Sequence, residues 1–183
     1  MSRPSVFITG AAAGIGRTAA LHFARQGWFV GAYDVDEAGL SSLKAELGDG
    51  MTGRLDVCNY DAWTHSLEAF FTAAGGRLDV LVNNAGILSS GPFENTPIAR
   101  HHLMVDVNLK GMMNGCHAAL PWLQKTSDSR VINLASASAI YGQPSLATYS
   151  ATKFAVRGLT EALDLEWQHF GIRVMSVWPL FVQ

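Results

Sequence analysis

The sequence predicts an α/β fold, a doubly wound parallel sheet with helices on both faces, on three observations. Six short apolar runs recur along its 183 residues. Longer amphipathic stretches separate them, as the crossover helices between parallel strands require. The runs are apolar on both faces instead of alternating with polar residues, which is the pattern of strands covered by helices above and below.

SVFITG (5–10) reads as the first strand, and it enters TGAAAGIGRTAALHFARQG, a glycine-rich turn that opens a helix. FVGAYDV (29–35) is the second strand, followed by the helical DEAGLSSLKAEL (36–47). The end of MTGRLDV (51–57) and LDVLVNNAG (78–86) supply the third and fourth. A helix follows over roughly residues 100–123, then the fifth strand RVINLAS (130–136), a helix near 148–170 and the sixth strand IRVMSVWP (172–179). Strands alternating with helices and a glycine turn after the first strand make the sheet Rossmann-type. No repeat, low-complexity tract or linker interrupts the chain, so residues 1–183 are read as a single domain.

Composition narrows the function classes. With 49% apolar and 15% charged residues the chain suits a packed core, and a net charge of −2 gives no electrostatic case for nucleic acid or an anionic membrane. No apolar run approaches the 18 residues of a spanning helix, and the N-terminus enters a strand too early for a signal peptide. Cys58 and Cys116 form no spaced motif, which points to reduced thiols and a cytoplasmic home. The six histidines lack metal-ligand spacing, so no metal is expected.

In such sheets chemistry gathers at the carboxyl ends of the strands. Gly10, Gly14 and Gly16 lie where missing side chains let backbone N–H groups and a helix N-terminus approach a pyrophosphate. Their spacing, G-x-x-x-G-x-G, departs from the dinucleotide fingerprint G-x-G-x-x-G. Asp34 ends the second strand, where a carboxylate accepts both ribose hydroxyls of NAD and repels the 2′-phosphate of NADP. The competing reading makes Asp34 a cap for the helix that follows. Tyr149 and Lys153 are four residues apart, so on a helix a phenol lies beside an ammonium. Alone, that pair also suits a surface helix with a snorkelling lysine.

Taken together, TGAAAGIG (9–16), Asp34, LDV (55–57), NNAG (83–86), Asn108, Ser136 and YSATK (149–153) resemble the short-chain dehydrogenase/reductase family along nearly the whole chain. That family's glycine turn has the spacing seen here. The resemblance implies that Thr9, Gly10, Gly14, Ile15 and Gly16 form the cofactor turn, with Asp56 and Val57 on the adenine side. Asn83, Ala85 and Gly86 would line the cofactor cleft and hold the central strand's geometry, and Pro179 would also touch the cofactor. Asn108 would hold a water in a proton relay, and Ser136 would hydrogen-bond the substrate oxygen. Tyr149 would be the general base or acid, and Lys153 its electrostatic partner and a ribose ligand. Each residue also has a plainer role: Asn83-Asn84 as a turn, Asn108 as a polar helix position, Ser136 as one of two serines in ASAS.

The implied activity is hydride transfer between a secondary alcohol or ketone and a nicotinamide cofactor, with NAD preferred over NADP. A free phenol titrates near pH 10, so a phenolate useful near neutral pH needs about 3 to 4 kcal/mol of support, much of which one nearby cation supplies. Ser138, Ile140, Tyr141 and Gln143 would form one substrate wall, and Leu88 and Phe93 another, suiting a mostly apolar small molecule. The helices near 100–123 and 148–170 are apolar over more than one face, and in the resembled family they pair across a homodimer or homotetramer. Two other readings are a non-catalytic NAD-binding or redox-sensing module and an epimerase/dehydratase-type relative. Family members usually continue for several tens of residues, supplying a substrate lid and a seventh strand, whereas this sequence stops at SVWPLFVQ. A fold lacking both is therefore expected, with Trp178-Pro179 where a proline-glycine pair is common.

Overall fold

The computed structural model describes residues 3–180. Six strands, β1 (Ser5–Thr9), β2 (Phe29–Asp34), β3 (Met51–Arg54), β4 (Val80–Asn83), β5 (Arg130–Leu134) and β6 (Arg173–Val177), form one sheet in the order β3-β2-β1-β4-β5-β6. All five pairings are parallel. The strand order reverses between β1 and β4, and the crevice above that point is where ligands of such sheets sit.

The helices are α1 (Gly14–Arg25), α2 (Glu37–Leu47), α3 (Tyr60–Ala73), α4 (Ile98–Val105), α5 (Gly111–Leu123) and α6 (Ala147–Glu166). Side-chain parity divides the core between the two faces of the sheet. Phe7, Leu81 and Val131 pack with Trp63, Phe70 and Leu123 on one face; Val6, Ile8, Val80 and Val82 pack with Ala20, Leu43 and Leu47 on the other. Phe7 stacks on Tyr33 with ring centres 4.1 Å apart. Burying each large side chain of this kind contributes about 1.5–3 kcal/mol.

Side-chain caps start two of the helices. Asp36 caps α2 by accepting from Gly39 N, and Asn59 caps α3 by accepting from Ala62 N, each satisfying a donor the helix leaves open. The helix expected over 100–123 is two helices, α4 and α5, joined through a wide π-helical turn at Asp106–Lys110. The last long helix ends at Glu166, and a 3₁₀ turn covers Gln168–Phe170. β3 stops at Arg54, which leaves Leu55, Asp56 and Val57 in the loop at the strand's carboxyl end. β6 is an edge strand among the described residues, with Met175 and Val177 exposed. No described helix is long and apolar enough to cross a membrane.

Candidate active site

The glycine turn is built by two different constraints. Gly10 and Gly14 have φ of +64° and +54°, a region that costs a residue bearing a Cβ about 1–2 kcal/mol. Gly16 has ordinary backbone angles, but a Cβ there would collide with the Gly10 carbonyl. Helix α1 then follows Ala13, which gives it no side-chain cap, and its first turn holds no acidic residue. Its first N–H groups and the positive end of its dipole are open to an anion.

Asp34 fastens this turn to β2: Oδ2 accepts from Ala12 N at 3.0 Å, and Oδ1 accepts from Asp36 N at 3.0 Å. It is not the cap of α2, which is Asp36. Gly10, Gly14, Ile15, Asp34, Val35, Asp56, Val57, Ala85 and Gly86 line a cleft of about 440 Å³. A second chamber of about 230 Å³ adjoins it, lined by Ser136, Tyr149, Lys153, Pro179 and Leu88. Ile15, Asn84, Gly86 and Ile87 line both, so the two form one continuous groove.

Lys153 is 4% exposed. Its Nζ donates to Leu134 O at 2.7 Å and lies 5.5 Å from the centre of the Tyr149 ring. Burial pushes the ammonium down to about 8. Ser136 Oγ accepts from Ser138 N at 3.1 Å, capping the 3₁₀ turn Ala137–Ala139. That contact uses a lone pair and leaves the Ser136 proton to donate. Tyr149 is half-buried on the first turns of α6.

Several sequence-based expectations are displaced. Asn83 does not line the groove; it is 3% exposed beneath the sheet, its Nδ2 donating to Asn133 Oδ1 at 2.9 Å. Asn84 takes the groove position, with Nδ2 donating to the carbonyls of Thr9 and Gly10 at 2.9 Å each. Strand parity explains the exchange, because Asn83 shares the face of Leu81 and Asn84 that of Val82. Thr9 is a buried strut whose Oγ1 accepts from Asn84 N and Ala85 N at 3.2 Å. Asn108 is buried in the π-helical turn, its Oδ1 accepting from Ile87 N at 2.8 Å and its Nδ2 donating to Ile87 O at 2.9 Å and Thr152 Oγ1 at 3.2 Å.

None of Ser138, Tyr141 and Gln143 lines the chamber. Ser138 is buried behind Ser136, Tyr141 is 53% exposed, and the Gln143 backbone is tied to Ser150 Oγ. Phe93 is also outside, packed on His101 with ring centres 4.5 Å apart. Leu88 is the expected apolar residue that does reach the wall.

With this geometry in hand, the family model described as short chain dehydrogenase matches residues 4–183. The chain belongs to the short-chain dehydrogenase family. It is 36% identical over 176 residues to a 2,5-dichloro-2,5-cyclohexadiene-1,4-diol dehydrogenase of Sphingobium indicum, covering 94% of this chain and 70% of that protein. It is 37% identical over 178 residues to a 3-alpha-(or 20-beta)-hydroxysteroid dehydrogenase of Mycobacterium tuberculosis, covering 96% and 68%. The 3-ketoacyl-(acyl-carrier-protein) reductase from Brucella melitensis, solved as a complex with NADH, matches with a TM-score of 0.92 at 30% identity, covering 97% of this chain and 75% of that one.

The residues of this short-chain dehydrogenase fit a dinucleotide. Gly14 has open space where a Cβ would stand, beside an uncapped helix N-terminus suited to phosphates. A Cβ on Gly86 would lie 3.7 Å from Lys153 Nζ, so the bare backbone there leaves room beside the ammonium. Asn84, Ile87, Leu55 and Ala13 also line the groove and escaped the sequence reading. Parity along β4 would have found Asn84; the others are loop residues whose direction no periodicity encodes.

Proposed function

We propose that this protein oxidises a mostly apolar secondary alcohol to its ketone, or runs the reverse reaction, with NAD preferred over NADP and Tyr149 as general base and acid. At the coarser level it is a hydride-transfer oxidoreductase of the short-chain dehydrogenase family. The observation that carries the finer reading is the position of Tyr149 and Lys153, which close one end of a groove whose other end holds Asp34.

The nicotinamide cofactor supplies the hydride acceptor or donor. Everything else falls to the chain's own groups. In the oxidative direction the Tyr149 oxygen takes the substrate's hydroxyl proton as the carbinol hydride leaves, so the alcohol loses two electrons and two hydrogens in all. Ser136, its lone pair engaged by Ser138 N, donates to the substrate oxygen and orients it. The Lys153 cation, 5.5 Å from the centre of the Tyr149 ring, stands beside the group that takes the proton. One of its three N–H groups is spent on Leu134 O, leaving two for a ribose hydroxyl and for passing the proton outward. An ammonium weakened by burial releases such a proton readily.

The preference for NAD rests on Asp34 in the cleft, next to an exposed Val35 that adds no cation. Arg17 is turned to α2, where its guanidinium meets Glu46 Oε1 at 2.5 Å and Ser42 Oγ at 3.2 Å. Leu88, Ile87 and Pro179 around the chamber support a neutral, apolar substrate. Exposed Leu103, Met113 and Phe154 on α4, α5 and α6 support a homodimer or homotetramer, and monomers by light scattering at micromolar concentration would contradict it. Unpaired Cys58 and Cys116 support a reducing cytoplasm. The test of function is a panel of secondary alcohols and ketones read at the NADH absorbance with each cofactor. Failure of every alcohol to reduce NAD, and of every ketone to oxidise NADH, would end this reading.

A further inference from the structure

Thr152 sits between the two halves of the catalytic pair, and nothing in the mechanism above uses it. It is buried on α6, three residues after Tyr149 and next to Lys153. Its hydroxyl donates to Tyr149 O at 2.7 Å. Because that proton is spent, Oγ1 faces Asn108 as an acceptor, and it receives Asn108 Nδ2 at 3.2 Å. The direction of the chain is thereby fixed: Asn108 N–H to Thr152 oxygen, Thr152 O–H to the Tyr149 carbonyl.

Asn108 occupies the π-helical turn Asp106–Lys110, where the ordinary helical ladder is interrupted. Its amide clamps both backbone groups of Ile87, at 2.8 and 2.9 Å. Ile87 and its neighbour Gly86 line both parts of the groove, and a Cβ on Gly86 would stand 3.3 Å from Asn108 Oδ1 and 3.7 Å from Lys153 Nζ. The loop after β4, the π turn and the first turns of α6 therefore meet through one side-chain hydroxyl.

We propose that Thr152 is a positioning residue for the alcohol oxidation proposed above, its hydroxyl locking the turn that carries Tyr149 to the Asn108–Ile87 floor of the groove. The proposal rests on that functional reading. A misplacement of about 1 Å at a reacting group costs on the order of a hundredfold in rate. Removing the hydroxyl also leaves a buried Asn108 N–H without a partner, which pulls the amide away from Ile87.

The experiment compares Thr152→Val, which keeps the branched shape, with Thr152→Ser, which keeps the hydroxyl, using the secondary alcohol that gives the fastest NADH production in the panel. Thr152→Val is expected to lower kcat about 10- to 100-fold with KM for the alcohol within about threefold, and to speed hydrogen exchange at the Ile87 amide. Thr152→Ser should restore both to within about threefold of wild type. In a Tyr149→Phe background the valine substitution should have little further effect, because the group it positions is gone. If Thr152→Val does not fold, Thr152→Ala removes the same hydroxyl with less bulk. The proposal is overturned by a valine or alanine variant with wild-type kcat, by a serine variant as slow as the valine, or by full additivity with Tyr149→Phe. An absence of turnover in the wild type itself would instead remove the alcohol-oxidation reading.

Discussion

Lys153 Nζ lies 5.5 Å from the centre of the Tyr149 ring, held there by a 2.7 Å hydrogen bond to the Leu134 carbonyl at the end of β5. The helical spacing brings the two side chains to one face, and the strand end fixes how far the ammonium extends. Burial of a cation with a single carbonyl partner among the described residues weakens its hold on the proton.

That burial has a signed consequence for stability. The ammonium is pushed down to about 8 in the folded chain, against an ordinary lysine value near 10.4, so between those limits the unfolded chain binds more protons. Folding is therefore penalised in full below pH 8, by roughly 3 kcal/mol, and the penalty fades as pH rises toward 10. Lys153→Met should be more stable than wild type at pH 7 in urea unfolding, and the difference should shrink by pH 10. It should also bind NAD more weakly. Equal stability gaps at both pH values would show that the lysine's proton is not at issue.

The two kinds of glycine should separate in stability measurements. Gly16→Ala drives a Cβ into the Gly10 carbonyl, so a loss of about 3 kcal/mol or more is expected along with cofactor binding. Gly14→Ala meets open space and bears only the left-handed backbone, about 1–2 kcal/mol, with the fold retained. Thermal unfolding of both variants checks the order, and a Gly14 variant worse than the Gly16 variant would reverse the assignment.

Much of this was legible in the sequence, for physical reasons. Strands such as SVFIT and VLVN carry apolar residues on both faces, and only a parallel sheet covered twice buries both. Asp34, Ser136, Tyr149 and Lys153 were legible because each sits at a strand end or on a long helix. The π turn at Asp106–Lys110 was not, since shifting a hydrogen bond by one residue changes no hydrophobic period. Neither was the fate of Ser138, held in the tight turn capped by Ser136, nor that of Tyr141 and Gln143, which lie in the irregular segment beyond it where no periodicity applies. Thr152 was unreadable because its role depends on Asn108, 44 positions away in the chain.

Asp34 holds the glycine turn and is proposed to read the cofactor's ribose, and one substitution tests both. Asp34→Ala removes the tether to Ala12 N and, on the proposed reading, the negative charge that meets the cofactor's ribose. NAD binding should weaken by tenfold or more, and the ratio of NADP to NAD affinity should rise by at least as much. Titrating both cofactors by quenching of tryptophan fluorescence tests this, with tighter NADP than NAD binding by the wild type as the contrary outcome.

The central claim is that the Tyr149 oxygen moves the substrate's proton. Tyr149→Phe keeps the ring and removes only the hydroxyl, so NAD binding should change little. Steady-state oxidation of the panel's best secondary alcohol by this variant, shown to be folded and NAD-bound, is the most direct measurement. The account predicts a fall in kcat of roughly 10²–10⁴, and a rate within about tenfold of wild type would contradict it.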